Sequence, residues 1–367
     1  MTEQSPQVPP LPPRRAAPTI YDIAELAGVN PSTVSRALSK PGRISAKTEQ
    51  RIQDAARQLN YRVNPMARAL PTGRTRTVGL ILADVTNPVF FDVVRGAERA
   101  ASEHGYTLVI AESQESGERE AETAERVAPS VDALVLVATR LADDQITALS
   151  EWKPLVVINR EVEGVDGIVP DSEPGIEQAL QHLSALGHTS IAYLSGPANS
   201  WMSRARWDLI LDRAVESGMT VVDIGPAAPT VEGGGELYQR VVASGVTAVL
   251  AYNDLMAIGL LRATQHHGIE VPGRLSIIGF DDIFGSDFTS PPLTTIRSPL
   301  GLLGELAVRS ALSRVGGAGA AIAAGDVPGD EAGDAAGDAA VAARGAIATE
   351  LVVRGSTGAP GPRGVSN

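Results

Sequence analysis

Asp84 and Asn87, Asn159 and Arg160, Asn253 and Asp254, and Asp281 and Asp282 stand just past the ends of four separate short apolar runs. Carboxylates and side-chain amides pair with hydroxyl groups, so residues of these types suit a polyhydroxyl ligand. Phe90, Phe91 and Trp201 offer apolar faces for a sugar ring. Asn and Asp at such places have a competing use, capping the helix that follows, and Asp254 and Asp282 fit that use better. A second set has different chemistry. Ser32, Thr33, Ser35 and Arg36 are small and polar with one guanidinium, which can present paired donors to guanine O6 and N7. Covalent chemistry is poorly served. The absence of cysteine excludes a thiol nucleophile, a disulfide scaffold and a thiolate zinc site. No Gly-x-Ser-x-Gly elbow is present. His266 and His267 are adjacent, so a helix points them about 100° apart, and His104, His182 and His188 lack ligand spacing. His182 reads as packing on its own helix and His188 as a loop residue. No catalytic residue, metal or cofactor is expected.

The apolar runs that must position the first set are Val78–Ala83, Thr107–Ala111, Ala133–Val137, Leu155–Ile158, Ser190–Leu194, Val221–Ile224, Ala248–Ala251 and Leu275–Gly279. They are near-continuous in Val, Ile, Leu and Ala, as strands buried on both faces of a parallel sheet are. Helical segments alternate with them, which predicts a doubly wound α/β body, long enough for two such units face to face. In such sheets ligands bind beyond the carboxyl ends of the strands, where the polar pairs fall. The stretch 316–345 is rich in Gly, Ala and Asp, cannot bury enough apolar surface to order itself, and reads as a flexible insertion before a last strand at Ala348–Val353.

The second set belongs to a small basic head. Residues 1–76 hold 12 Lys and Arg against 5 Asp and Glu, a net of +7, whereas residues 77–367 hold 19 against 38, a net of −19. A basic head on an acidic body implies a polyanionic partner for the head. Thr19 and Asp22 resemble a capping box, and Ile20, Ile23, Ala24 and Ala27 make one apolar helix face. Gly28 permits a tight turn, and Asn30 with Pro31 starts a second helix whose inner face is Val34 and Leu38. Ser45 caps a third helix, with Ile52, Ala55, Ala56 and Leu59 turned inward. Helix, Gly turn and helix with a polar outer face is the helix-turn-helix pattern, though a three-helix interaction module has the same core.

These segments resemble the lactose-repressor (LacI/GalR) family. The similarity begins with T-I-Y-D-I-A-E-L-A-G-V-N-P-S-T-V-S-R-A-L at Thr19 and continues through N-Y-R-V-N-P-M-A-R-A-L, N-P-V-F-F-D-V-V-R-G-A-E, H-L-S-A-L-G-H-T-S-I-A-Y-L-S-G-P, Y-N-D-L-M-A-I-G, I-I-G-F-D-D, P-P-L-T-T-I-R and T-E-L-V-V-R-G-S-T, to about Thr357. The resemblance implies that Pro31, Ser32 and Arg36 read bases and that Thr33, Ser35 and Asn64 touch phosphate or groove. It implies that Asn64–Leu70 is a hinge helix with Leu70 wedged into the minor groove. It implies that Phe90, Asn159, Arg206, Asn253 and Asp281 bind a small-molecule effector. Pro31, Val89, Leu300 and Pro71 depart from residues common in relatives.

The expected organisation is a disordered tail (1–18), a helix-turn-helix domain (19–63), a hinge and linker (64–76), a two-lobed effector-binding and dimerisation domain resembling periplasmic binding proteins (77–357), and a disordered tail (358–367). The expected function is repression of transcription by a homodimer on a pseudo-palindromic double-stranded operator, under control of a carbohydrate-like effector. A transporter's solute-binding protein shares the two-lobed body, but no secretory h-region precedes it. No apolar run approaches roughly 18 residues, so no membrane span is expected and the cytoplasm is the expected location. An α/β enzyme with a fused helical domain is the remaining alternative.

Overall fold

The Asp22 carboxylate accepts from both the backbone N–H and the hydroxyl of Thr19, at 2.6 and 2.7 Å. It thereby fixes the start of α1 (Ile20–Ala27), which ends at Gly28, left-handed with φ 62°. α2 (Pro31–Ser39) follows after the three-residue turn Gly28–Asn30, and α3 (Ala46–Gln58) starts at Ser45, whose side chain accepts from Thr48 N–H. Ile23, Val34 and Ile52, one from each helix, are fully buried together, and Ala24, Ala27, Ala37 and Ala55 fill the space between them. The computed structural model describes residues 18–39, 43–61, 73–315 and 347–361. These divide into two compact units at Thr75 and Arg76. The hinge residues Asn64–Leu70, Pro71 and the insertion 316–345 lie outside the described residues.

The larger unit holds two sheets. The first is ordered β2-β1-β3-β4-β5, from β1 (Thr77–Leu82), β2 (Thr107–Glu112), β3 (Ala133–Val137), β4 (Leu155–Ile158) and β5 (Asp166–Ile168), all parallel. Side chains alternate across it, as the two-residue period of a strand requires. Val78, Leu80 and Leu82 enter the core on one face, and Ile81, Leu134 and Leu136 enter the core on the other. The helices covering it include α4 (Val89–Glu103), α5 (Gly117–Val127) and α6 (Asp143–Trp152).

The second sheet is ordered β11-β10-β9-β8-β6-β7. Its strands are β6 (Ser190–Leu194), β7 (Thr220–Ile224), β8 (Ala248–Ala251), β9 (Ser276–Asp281), β10 (Thr294–Arg297) and β11 (Glu350–Val352). The covering helices are α7 (Glu173–Ala185), α8 (Trp201–Glu216), the short α9 (Val231–Glu236) and α10 (Tyr238–Ser244), and α11 (Asp254–His266). β11, the last strand, runs antiparallel to β10 at the edge of this otherwise parallel sheet. β5 and β10 were not anticipated as strands. Each is short and carries polar residues, and its place is set by its neighbour in the sheet.

α12 (Leu300–Ser313) follows β10 in sequence but packs on β3, β4 and α4 of the first lobe. Glycine makes this possible. A Cβ on Gly96 of α4 would stand 1.9 Å from the Gly301 carbonyl oxygen, so the two helix backbones touch. The chain therefore crosses between lobes near Asp171 and Ser298, and again where Ala348 pairs with Asp171 in a parallel bridge. Both sheets have their order reversing beside a central strand, β1 in one and β6 in the other. The carboxyl ends of those strands and their inner neighbours are where a ligand crevice belongs.

Candidate functional site

In the head, α2 presents Ser32, Ser35 and Arg36 exposed, with Pro31 and Thr33 half-buried beside them. Val34 and Ala37 of the same helix are buried. The helix thus has a solvent face of small polar side chains and one guanidinium, of the size a major groove admits. Pro31 sits at the first helical position, where no intrahelical N–H is required.

In the body, residues from both lobes meet around one cleft. Asn87, Val89 and Phe90 reach it from the end of β1 and the start of α4, Asn159 from the end of β4, Arg206 from α8, Asn253 from the end of β8, and Asp281 from the end of β9. All five effector residues named from sequence are therefore brought together. Phe91 is exposed on the far side of its helix turn and Trp201 packs on the second lobe's core; Phe90 and Met202 line the cleft in their place. Leu300 is buried in the first lobe's core, outside the cleft.

Arg206 is the centre of the second lobe's wall. Its guanidinium lies 3.5 Å from the Phe280 ring centroid and 5.3 Å from that of Tyr252. It donates to the Tyr252 carbonyl at 2.5 Å and to Asp281 Oδ1 at 3.3 Å. Burial holds the Asp281 carboxyl above the usual carboxylate range, against the pull of Arg206. Asp281 and Asn159 both have left-handed backbones, with φ 105° and 65°, a conformation that costs a non-glycine residue on the order of 1 kcal/mol or more. Ala138 at the end of β3 is left-handed too, with φ 52°. Asn159 Oδ1 and Arg206 Nε are buried with no hydrogen-bond partner. An orphaned acceptor on one wall and an orphaned donor on the other are what a hydroxyl-bearing ligand can satisfy, since a hydroxyl both donates and accepts.

The capping roles fall differently from expectation. Asn253, not Asp254, caps α11, its Oδ1 accepting from Met256 N–H at 2.9 Å while its amide donates to the Pro229 carbonyl. Asp254 is fully buried and accepts from the Thr295 hydroxyl at 2.6 Å and from Ile283 N–H at 2.9 Å. Burial and then the neighbouring Asp281 carboxylate push its carboxyl well above the ordinary range. Asp282 caps no helix either. It takes Arg354 at 2.6 Å, Arg297 at 2.7 Å and the Ser286 hydroxyl at 3.0 Å. Burial works to raise its pKa, but those bonds outweigh it and hold the carboxyl low. His188 is buried, bonded to the Thr247 and Ser276 hydroxyls and the Gly358 carbonyl, and His182 bonds to the Thr357 hydroxyl. Among the described residues no group of three or more His, Asp or Glu could hold a metal ion.

The site also contains Glu115, Arg140 and Tyr252, which were not picked out from sequence. Their signal was present. Each lies within three residues of a strand's carboxyl end, the rule that located the others.

Residues 19–64 match the family described as bacterial regulatory proteins, lacI family, and residues 180–357 match a periplasmic binding protein-like domain. The HTH-type transcriptional regulator GalR of Escherichia coli K12 is 34% identical over 80% of this chain and 88% of its own length. The chain belongs to the LacI family. A second LacI-family relative, the ribose operon repressor of Escherichia coli K12, is 31% identical over 81% of this chain and 93% of its own length. The structure of the Lac repressor dimer bound to operator and the anti-inducer ONPF superposes with a TM-score of 0.78 at 26% identity, covering 94% of this chain and all of that one. The helix-turn-helix head and the periplasmic-binding-like α/β body are those of the family, and the chain is a DNA-binding transcription regulator. No helix among the described residues is long and apolar enough to cross a membrane.

Proposed function

We propose that this protein represses transcription as a homodimer on a pseudo-palindromic operator, and that a carbohydrate-like effector bound in the body cleft controls its hold on DNA. The observation that carries the effector half is the pairing of two orphaned buried atoms, Asn159 Oδ1 and Arg206 Nε, on opposite lobes of one cleft. Phe90, Asn159, Arg206, Asn253 and Asp281 are the effector residues. Asn253 acts chiefly by shaping the wall, because both ends of its amide are already bonded. The operator half rests on the exposed face of α2 and on the relatives, one of which represses a ribose operon and one of which is a dimer on operator DNA.

Arg36 reads a guanine, Pro31 and Ser32 read neighbouring bases, and Thr33, Ser35 and Asn64 position the head on the backbone. Leu70 is the minor-groove wedge. A two-fold dimer reads a two-fold site, so each half-site meets one head. The cleft binds without catalysing, and the working compartment is the cytoplasm.

Selection of the full chain against a random duplex library tests this directly. A pseudo-palindrome should be enriched, and a panel of neutral pentoses, hexoses and disaccharides should contain one that alters binding to it. That sugar, at 100 times its Kd, should add about 2.7 kcal/mol to the stability of the body. Enrichment of no duplex would remove the operator half, and a panel in which no sugar changes either DNA binding or melting would remove the effector half.

A further inference from the structure

Four charged side chains line the cleft, and they are already paired within their own lobes. The second lobe contributes Arg206 with Asp281. The first lobe contributes Arg140 with Glu115. Arg140 Nε and Nη2 both reach Glu115 Oε2, at 2.9 and 2.7 Å, and Nη1 donates to the Ala138 carbonyl at 2.9 Å. The Arg140 side chain is only 3% exposed, against 27% for Glu115. Glu115 thus occupies the Nε–Nη2 edge of the buried guanidinium, the edge on which an anion would otherwise bind in a forked manner.

Glu115 is held in that position by its backbone. Its N–H donates to the Ala83 carbonyl at 3.0 Å, and both Gln114 and Glu115 are left-handed, with φ 53° and 58°. The Arg140 backbone is fixed from the other side, where its N–H donates to the buried Glu120 carboxylate at 2.8 Å. Each lobe thus brings one cation and one anion to the cleft, and each cation already has the carboxylate of its own lobe as its charge partner. A phosphate or carboxylate entering here would add a charge with no cation of its own, and taking such a charge out of water is costly. A neutral hydroxyl group meets no such penalty and satisfies the two orphaned atoms.

We propose that Glu115 is the charge filter of this cleft: by occupying Arg140, it admits an uncharged polyhydroxyl ligand and rejects its phosphorylated or carboxylate-bearing counterparts. This rests on the cleft being the effector site, and the test separates the two claims. Melting of the full chain is followed with inorganic phosphate and with D-ribose 5-phosphate, each against a chloride control of matched ionic strength. The wild type, Glu115→Gln and Glu115→Gln/Arg140→Gln are compared, each against its own unliganded midpoint.

The wild type should show no shift with either anion. Glu115→Gln should gain a shift corresponding to at least about tenfold tighter anion binding, the scale of one added charge-assisted contact. The double variant should lose that gain, because the freed guanidinium is what binds. A wild-type shift as large as that of Glu115→Gln, or no gain in Glu115→Gln, overturns the filter. Should Glu115→Gln fail to fold, the wild-type arm still decides, since any anion-induced shift in wild type that Arg140→Gln abolishes also overturns it. Failure of the effector reading looks different: no neutral sugar shifts the wild type, while the anion gain in Glu115→Gln still appears.

Discussion

In the head, Ser32, Ser35 and Arg36 stand exposed on α2 while Ile23, Val34 and Ile52 behind them hold the fold. In the body, Arg206 and Asp281 are themselves buried, and the contacts they would offer a ligand are continuous with contacts that hold the second lobe together. The two regions therefore answer differently to substitution. A polar face mounted on an independent apolar core can change specificity with little effect on stability. A buried polar wall cannot, because removing one partner leaves the other charged and desolvated. Within that wall, Asn159 Oδ1 and Arg206 Nε are buried without a hydrogen-bond partner.

The largest effect that would sharpen this contrast is expected from Asp281→Ala. It strands the Arg206 guanidinium, and the body should lose about 3–5 kcal/mol in denaturant unfolding together with all response to effector. A variant that unfolds at the wild-type midpoint would break the claim that the cleft supports its own fold. Next in size, Arg36→Ala should cost about 1–3 kcal/mol of operator affinity and relax preference at one base pair per half-site, with melting unchanged. Equal losses on operator and on random DNA would take Arg36 out of base reading and make it a phosphate contact. The smallest effect is expected from Ser45→Ala. Removing the cap on α3 should lower the head's stability by about 1 kcal/mol and leave the body's transition where it is. Calorimetry in which the body's transition moves instead would show that the two units do not unfold separately.

Much of the head was legible because its signals are local. Asp22 three residues after Thr19, Gly28 at the turn, and Ser45 before the third helix each act over one helical turn, and the structure shows each in use. The body's central strands were legible because continuous apolar runs such as Ala133–Val137 are buried on both faces. β5 and β10 were not, since a three- or four-residue strand with polar residues carries little pattern of its own and is held by register with β4 and β9.

Among the polar residues past the strand ends, sequence placed the carboxylates and amides near the crevice but could not divide them by role. Asn253 and Asp254 show why. Either can cap a helix in principle, and the choice was made by what lies beyond α11: Thr295 and the Ile283 N–H, both far along the chain, take the Asp254 carboxyl and leave Asn253 to cap. Glu115 and Arg140 show the same for charge, since their pairing depends on two loops from different strands meeting, which only the packed sheet arranges. The sequence alone determined which segments bury themselves, where helices start, and that a basic helical head precedes an acidic α/β body, because period, caps and charge act over a few residues. The tertiary structure decided which polar groups are spent on one another and which are left for a ligand, because hydrogen bonds over 2.6–3.3 Å join residues that the chain separates by tens of positions.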